Sequence, residues 1–498
     1  MLASLKYQTR NLRRIYVPVV LFGVVLCELA ACAVGPDFVR PEAPQVTSYV
    51  KPNLLDPSGI GVPKIESGAV VPGDWWKLFQ SPQIDAMVQQ SLVHNPTLEA
   101  AVATLHQSQH IVQAGYGVFF PQVDAGFGGA RERSAPLEQG LATRSSIFNV
   151  VTLSGSVGYT LDLFGGERRA QEGLIAQSEY QRYASKAAYV TLAENVVDAA
   201  IARAAYEAQI RATEQLIALQ QEQLEATKAQ VKAGTASYSA ELSIRNLIAS
   251  SQANLAPLKQ QISQTENLLA TLQGKFPTEA SLPEIDLETL MMPSSLPVSV
   301  PSELVRQRPD ILQSEAQLHA ASANVGVATA AMYPSISVTG SVGQVGTSLG
   351  NLSAENGRFW SIGPTISIPL FRGGSLYYGR EAALDAFQIA QANYRQTVLT
   401  AFAQVATSLQ ALEHDAQLLQ AQTEARRDAS EALQLVQKNY ETGMVAYLDV
   451  LSADVLYHQA NIGYLQAIAQ RDQDTVALFV AMGGGWWNLP DQTAGSKP

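Results

Sequence analysis

Two side-chain groupings in this 498-residue sequence have types and spacings that could do chemistry. The first is Leu29-Ala-Ala-Cys32, small residues leading to a cysteine whose thiol could take a diacylglyceryl group. It follows Arg13-Arg14 and an apolar run from Ile15 to Leu26, which is too short to span a bilayer and suits the h-region of a signal segment. Cleavage before Cys32 would leave no second thiol in the mature chain, so no disulfide is expected. The second grouping is His106 and His110, at the i, i+4 spacing of metal ligands but with no nearby Glu or Cys to complete a site. His106 falls on His319 in an internal repeat, which favours a structural role common to both copies over metal binding. No nucleophile–base set is visible, and an enzyme is not expected. Gly483-Gly-Gly485 lacks the Lys-Ser/Thr of a phosphate-cradling loop.

The net charge is −11; residues 1–31 carry four cations against Glu28, so without them it falls to −14. An acidic chain without basic clusters argues against nucleic acid as a partner.

The repeat is read from two gapless stretches. Pro96 falls on Pro309, Leu98 on Ile311, Leu105 on Leu318, Phe120 on Tyr333 and Pro121 on Pro334. In each copy an Ala-rich helical pattern is stopped by the aromatic-Pro pair, because proline cannot continue a helix and forces its predecessor into extended backbone. Alternation then takes over, with Val123/Ala125/Phe127 in one copy and Ile336/Val338 in the other. A switch of period at the same relative point twice marks an internal duplication.

The alternating stretches cover roughly 122–132 and 147–163, then 335–345 and 358–370, around polar loops (the first with Pro136 and Gly140). Strands of this length, Gly-rich on one face, suit a membrane β-barrel. Four strands cannot close a barrel, and an open edge in lipid leaves backbone groups unsatisfied, so several chains must share one. Each second strand ends in an aromatic-glycine turn, Phe164-Gly165-Gly166 and Phe371-Arg-Gly373-Gly374. About 65 helical residues without proline follow, enough for a rod of roughly 100 Å. Val398, Phe402, Val405, Leu409, Leu412, Ala416 and Leu419 keep a 4-3-4-3 spacing, as do Tyr183, Ala187, Val190, Val197, Ile201 and Ala204 with Glu194 as the misfit. Heptads of this kind form coiled-coil seams. The rods reverse at Gly234 and Gly443, where glycine suits the left-handed C-terminal position. Return helices of about 35 residues follow. Residues 33–72 read as an extended tether without sustained period, and Ser81-Pro-Gln-Ile-Asp85 as a capped helix start behind an aromatic patch at Trp75, Trp76 and Phe79.

With these elements in place, the chain closely resembles the outer-membrane channels of tripartite efflux pumps, the TolC/OprM superfamily, in its lipoprotein (NodT-like) branch. The matching residues are Gly35-Pro-Asp-Phe38 after the cysteine, Trp75-Trp76 with Leu78-Phe79, Arg308-Pro-Asp-Ile311, Gly326-Val-Ala328 and Tyr333-Pro-Ser-Ile-Ser337. Trp360 with Gly363-Pro364, Pro369-Leu-Phe371 with Gly373-Gly374, and Gly483-Gly-Gly-Trp486 complete the set. The resemblance implies a mainly α fold with a membrane β-barrel. A homotrimer of duplicated protomers would form a twelve-stranded barrel in the outer membrane of a Gram-negative bacterium, continued by a twelve-helix α-barrel through the periplasm. It implies passive export of drugs or other toxic compounds, with a periplasmic adaptor and an inner-membrane RND-type transporter as partners, and diacylglycerol or palmitate on Cys32. It places the second helical turn at a periplasmic gate, with Asp449 at the position of a gate aspartate and Tyr440 beside it. Three copies of Asp449 around an axis would make a negative ring that favours cations. Ser452 and Val445 depart from the Asp and Arg that some members carry there. The first-repeat equivalent of Asp449 is Ala240, with Glu241 next to it, expected to face the outside. The turns at Gly234, Thr235, Gly443 and Met444 are candidates for adaptor docking. Pro121, Pro334, Gly165 and Gly373 mark the helix–strand transitions.

The expected organisation is a signal segment at 1–31, a tether at 32–74, a first repeat at 75–274, an interrepeat linker at 275–300, a second repeat at 301–485 and a tail at 486–498. A type I protein-secretion duct is an alternative within transport. A structural periplasmic coiled coil is an alternative from another class, though a spacer has no use for duplicated strand pairs.

Overall fold

A computed structural model of the chain describes residues 33–50, 64–133, 145–293 and 295–488. The signal segment, Cys32, Pro136 and Gly140 lie outside the described residues. In chain order the elements are β1 (Lys64–Ser67), α1 (Pro82–His94), α2 (Pro96–Gly115), β2 (Gln122–Arg133), β3 (Ile147–Leu161), α3 (Gly166–Lys232) and α4 (Tyr238–Leu272). They continue with β4 (Ser295–Val298), α5 (Pro301–Gln307), α6 (Pro309–Ala330), β5 (Ser335–Gly346), β6 (Arg358–Ser367), α7 (Ser375–Glu441) and α8 (Tyr447–Ala481). The duplication is literal: α3 and α7 each have 67 residues, and α4 and α8 each have 35. A helix of 67 residues is about 100 Å long.

The chain divides into two compact units. The first, residues 1–40, 105–180 and 314–394, holds the four long strands. Their order is β2-β3-β5-β6, every neighbouring pair antiparallel, so the second strand of one repeat pairs with the first strand of the other. The outer edges of β2 and β6 have no strand partner among the described residues. The helical stretches before the strands end earlier than the aromatic-Pro pairs imply. After α2 the backbone tightens into a 3₁₀ turn over Tyr116–Phe119, and α6 stops at Ala330. Proline disfavours α backbone in the residue before it, and its ring crowds the carbonyl four residues back, so the preceding turn cannot stay α-helical. Gly165 and Gly373 both take left-handed backbone, φ +77° and +59°, at the turns that start the rods. The ring of Phe164 stacks on that of Tyr333 at 4.7 Å, bringing the two copies' transitions together.

The second unit, residues 41–104, 181–313 and 395–498, has its core around Trp75, Trp76, Phe79, Ile84, Leu304 and Phe479, all buried. Ser81 caps α1, its hydroxyl accepting from the Ile84 N–H at 3.3 Å, and the Trp76 indole donates to Asp85 at 2.9 Å. The proposed seam is the buried stripe of the rods: Val190, Val197, Ile201 and Ala204 in α3, and Val398, Val405, Leu409, Leu412 and Ala416 in α7. Glu194, the misfit, is half-buried, and burial raises its pKa.

One expectation needs correction in this unit. The tether and linker are not wholly irregular, because β1 and β4 form a two-stranded parallel sheet from Lys64↔Ser295 to Ser67↔Val298. Four-residue strands contributed by distant segments leave no periodicity to detect. The return helix α4 runs its expected 35 residues with Pro257 in its interior. At the start of the tail, Trp486–Asn488 makes a 3₁₀ turn in which the Trp486 indole donates to the Gln307 carbonyl at 2.8 Å.

Candidate functional site

The sheet of the first unit has two chemically distinct faces, and the strand register assigns every residue to one of them. On one face lie Val123, Ala125 and Phe127, then Leu153, Gly155 and Val157, then Gly340 and Val342, then Trp360, Ile362 and Ile366. This apolar face is open in the single chain, with Val123 78%, Trp360 76% and Ile362 71% exposed. On the other face lie Asp124, Thr152, Ser154, Ser156, Thr160, Ser337, Thr339, Ser341, Ser361 and Thr365. The hydroxyls of Ser341 and Ser361 hydrogen-bond across it at 2.8 Å. Phe148 and Phe359 are aromatic exceptions on this face, the Phe359 ring lying over Gly343, where a Cβ would fall 2.5 Å from the ring. Long antiparallel strands with one exposed apolar face and one hydroxyl-rich face are the pattern of a membrane barrel with a wet interior. No helix among the described residues is long and apolar enough to cross a membrane.

The helical turns of the second unit close by the same geometry twice. Thr235 N–H donates to Gln230 O at 3.0 Å and Gly234 N–H to Val231 O at 3.1 Å. Met444 N–H donates to Asn439 O at 2.8 Å and Gly443 N–H to Tyr440 O at 2.9 Å. These are Schellman closures, and Gly234 and Gly443 supply the left-handed residue at φ +75° and +74°. A Cβ at either would meet nothing within 4 Å, so the requirement for glycine there is the backbone angle alone. Met444 is 70% exposed, as a docking tip needs, and Thr235 is exposed beside Gly234.

Asp449 sits in the first turn of α8, exposed, and its Oδ2 accepts the Ala446 N–H at 2.9 Å. One carboxylate oxygen therefore caps its own helix, as acids near a helix N-terminus do. Tyr440 stacks obliquely on Tyr447 with ring centroids 5.6 Å apart. The sequence gives no hint of what holds this turn to the neighbouring hairpin. The Tyr447 hydroxyl donates to Glu222 Oε2 at 3.0 Å, and Gln223 Nε2 donates to the Ser452 hydroxyl at 3.0 Å. Ser452, noted above only as a departure, thus accepts a bond from α3. Further along α8, burial raises the pKa of Asp454 and lowers that of His458, whose Nε2 lies 3.6 Å away. Glu241 is buried in the single chain, in a salt bridge with Arg245 one helical turn on.

The repeat-equivalent histidines His106 and His319 have different surroundings in the structure. His319 is held by Glu172, Nε2 to Oε1 2.8 Å, and stacks on Phe38 at 4.3 Å. His106 is exposed, so the two positions do not share one structural role. The difference lies in Glu172 and Phe38, both from the N-terminal half, which contact His319 on the second copy's helix. Arg169 sits beside them, donating to Glu172 at 2.7 Å and pairing with Asp37. No group of three or more His, Cys, Asp or Glu among the described residues has the arrangement of a metal site.

The outer membrane efflux protein family matches the chain twice, over residues 87–275 and 300–484. The chain belongs to that family. It is similar to the toluene efflux pump outer membrane protein TtgC of Pseudomonas putida, 28% identical over 474 residues, covering 93% of this chain and 95% of TtgC. It is also similar to the cation efflux system protein CusC of Escherichia coli, 27% identical over 474 residues, covering 93% and 97%. Among solved structures, the outer-membrane channel OprN matches with a TM-score of 0.79 at 27% identity, covering 91% of this chain and all of that one. The fold is that of the TolC-like channels, and the chain is an outer-membrane efflux channel, the exit duct of an efflux pump.

Proposed function

We propose that three copies of this chain wall one conduit, with their sheets joined edge to edge into a twelve-stranded barrel and their rods forming a helical tunnel. The observation that carries this reading is the sheet itself. Its apolar face is exposed, its opposite face is lined with hydroxyls, and the β2 and β6 edges are left to be paired. Unpaired edges in a bilayer leave several kcal/mol per backbone group unsatisfied, about the strongest drive to closure a membrane chain has. The conduit exports small toxic molecules, drugs or solvents among them, delivered by an RND-type transporter through an adaptor that meets the exposed turns at Gly234–Thr235 and Gly443–Met444. Fusion of the strands into one antiparallel sheet favours this over a structural coiled coil. A protein-secretion duct has no observation of its own here.

Asp449 is the gate residue in this reading, its free oxygen contributing to a negative ring at the entrance. Asp449→Asn keeps an acceptor for the Ala446 N–H while removing the charge; Asp449→Ala removes both. Both variants should lower cation-over-anion preference in planar bilayers several-fold, since a unit charge 4 Å from an ion is worth about 1 kcal/mol even in water. Unchanged selectivity in both would remove Asp449 from the gate. The lipid belongs on Cys32. In support, the residues after it are fastened beside the end of β3: Val34 N–H donates to Phe164 O at 3.0 Å, and Ala33 lies where a Cβ on Gly165 would stand. Metabolic labelling with palmitate should be lost in Cys32→Ser, and equal labelling would refute the assignment.

A further inference from the structure

A second acidic grouping lies within the helices of the second unit, away from the turns. Gln223 bonds Ser452, and Gln466 bonds Gln209 at 3.1 Å, so α8 runs antiparallel along α3. Its other flank is α7, where the Arg426 guanidinium lies 4.3 Å over the Tyr464 ring. About two turns beyond Gln466, α8 presents Asp474 to acids on both neighbours, Asp198 of α3 and Asp415 of α7.

The Asp415 and Asp474 carboxyls lie within hydrogen-bonding reach of each other. Asp415 is only 7% exposed, and its Oδ2 has no donor among the described residues; the same is true of the buried Oδ1 of Asp198. An ionised carboxylate only accepts, so two of them can bond only when one carries a proton. The neighbouring donors are already engaged. Gln470 Nε2 donates to Asp474 Oδ2 at 2.8 Å, and Arg471 directs Nε and Nη2 to Asp472 Oδ1 at 3.1 and 2.8 Å. The charged and titratable groups that meet here are Glu194 and Asp198 from α3, Asp415 from α7, and Arg471, Asp472 and Asp474 from α8. Arg471 is the cation that faces Asp415, and it is shared with Asp472.

We propose that Asp415 and Asp474, with Asp198 as a third carboxyl, form a proton-binding site whose occupancy sets how tightly α8 is held between α3 and α7. A proton taken from water binds one carboxylate oxygen, and the resulting O–H donates to the facing carboxylate. Its loss returns two like charges to a contact in which Asp415 is buried and Asp474 half-buried. Burial, with Asp474 adding to it, pushes Asp415 up from 3.8 to about 7. Burial, then Glu194 and Asp474, push Asp198 up from 3.8 to about 7. Between those limits the folded state holds protons that the unfolded chain has released, so stability falls as pH rises through the window and the full cost stands above it. The helices are thus tightest in acid and loosest above neutrality. The inference rests on the fold and not on the gate.

Hydrogen–deuterium exchange of peptides covering residues 465–480 tests it, on the full-length protein in detergent with a chelator present to exclude a bridging divalent cation. After correction for intrinsic exchange, opening of these amides should rise about tenfold between about pH 5.5 and pH 8, a change of one pKa unit's worth of free energy. Asp415→Asn and Asp474→Asn, nearly isosteric and uncharged, should each flatten most of that rise, leaving only the part that Asp198 supplies. In the infrared, wild-type protein should show a protonated-carboxyl band in acid that fades by about pH 8, and in Asp415→Asn that band should be weaker, keeping the share of Asp198. A wild-type-like pH response in both variants, or no protonated-carboxyl band in the wild type, would overturn the proposal. Should one variant fail to fold, the other and the wild-type infrared band decide.

Discussion

Replacing Arg308 with alanine is expected to remove most of the folded protein from the outer membrane. The side chain is 8% exposed, and its guanidinium makes four bonds that tie the start of the second repeat to its end. Nε and Nη2 fork onto the two oxygens of Asp310 at 3.0 and 2.7 Å, Nη1 donates to the Ala481 carbonyl at 2.7 Å, and Nη2 also reaches Gln404 Oε1 at 2.7 Å. Ala481 ends α8 and is buried, so its carbonyl would be stranded without water. Asp310 is nearly half exposed and can recover hydration, which lowers the loss. Breaking a buried, hydrogen-bonded ion pair from one side still costs about 3–5 kcal/mol, a large part of a domain's stability of roughly 5–15. Arg308→Lys keeps the charge but cannot make the fork, and should fall between. Outer-membrane abundance and thermal unfolding in detergent measure the effect. Wild-type values for Arg308→Ala would show the fork to be dispensable.

The second large effect is expected at Gly485. Its φ is +66°, and an added Cβ would stand 2.2 Å from the Pro72 carbonyl oxygen. Neither atom is on a flexible side chain, so one backbone must move. That segment is pinned on both sides, because Asn488 Nδ2 donates to Val71 O at 2.7 Å and the Trp486 indole to Gln307 O. Left-handed backbone alone costs a non-glycine residue about 1–2 kcal/mol, more when β-branched, and the clash adds to it. Gly485→Val should therefore fold poorly, with Gly485→Ala less affected. Gly234→Ala makes the contrast: its Cβ would enter open space, so only the backbone cost remains. Equal melting temperatures for Gly485→Val and Gly234→Ala would contradict this account.

Local chemistry was readable from the sequence wherever one residue decides the outcome. Proline at 121 and 334 and glycine at 165, 234, 373 and 443 fix the transitions because φ or a missing N–H leaves no alternative. The seam was readable because heptad spacing repeats over many turns, and the strands because alternation persists for ten residues or more. What depended on distant partners was not readable. The β1–β4 pair joins four-residue strands some 230 positions apart. Asp449 was placed by resemblance, yet its own bond to Ala446 and the Tyr447–Glu222 link belong to the folded chain alone. The His106–His319 equivalence failed because a repeat copies helix positions but not the unique N-terminal segment that supplies Phe38. Asp198, Asp415 and Asp474 drew no notice in sequence, since each looks like a solvated helix acid until three helices bring them together.

The shared conduit is tested most directly by measuring the mass of the full-length protein in detergent and recording the same preparation in planar bilayers. The account predicts a particle of three chains that conducts as a single pore. A monodisperse monomer that leaves the bilayer sealed would contradict it.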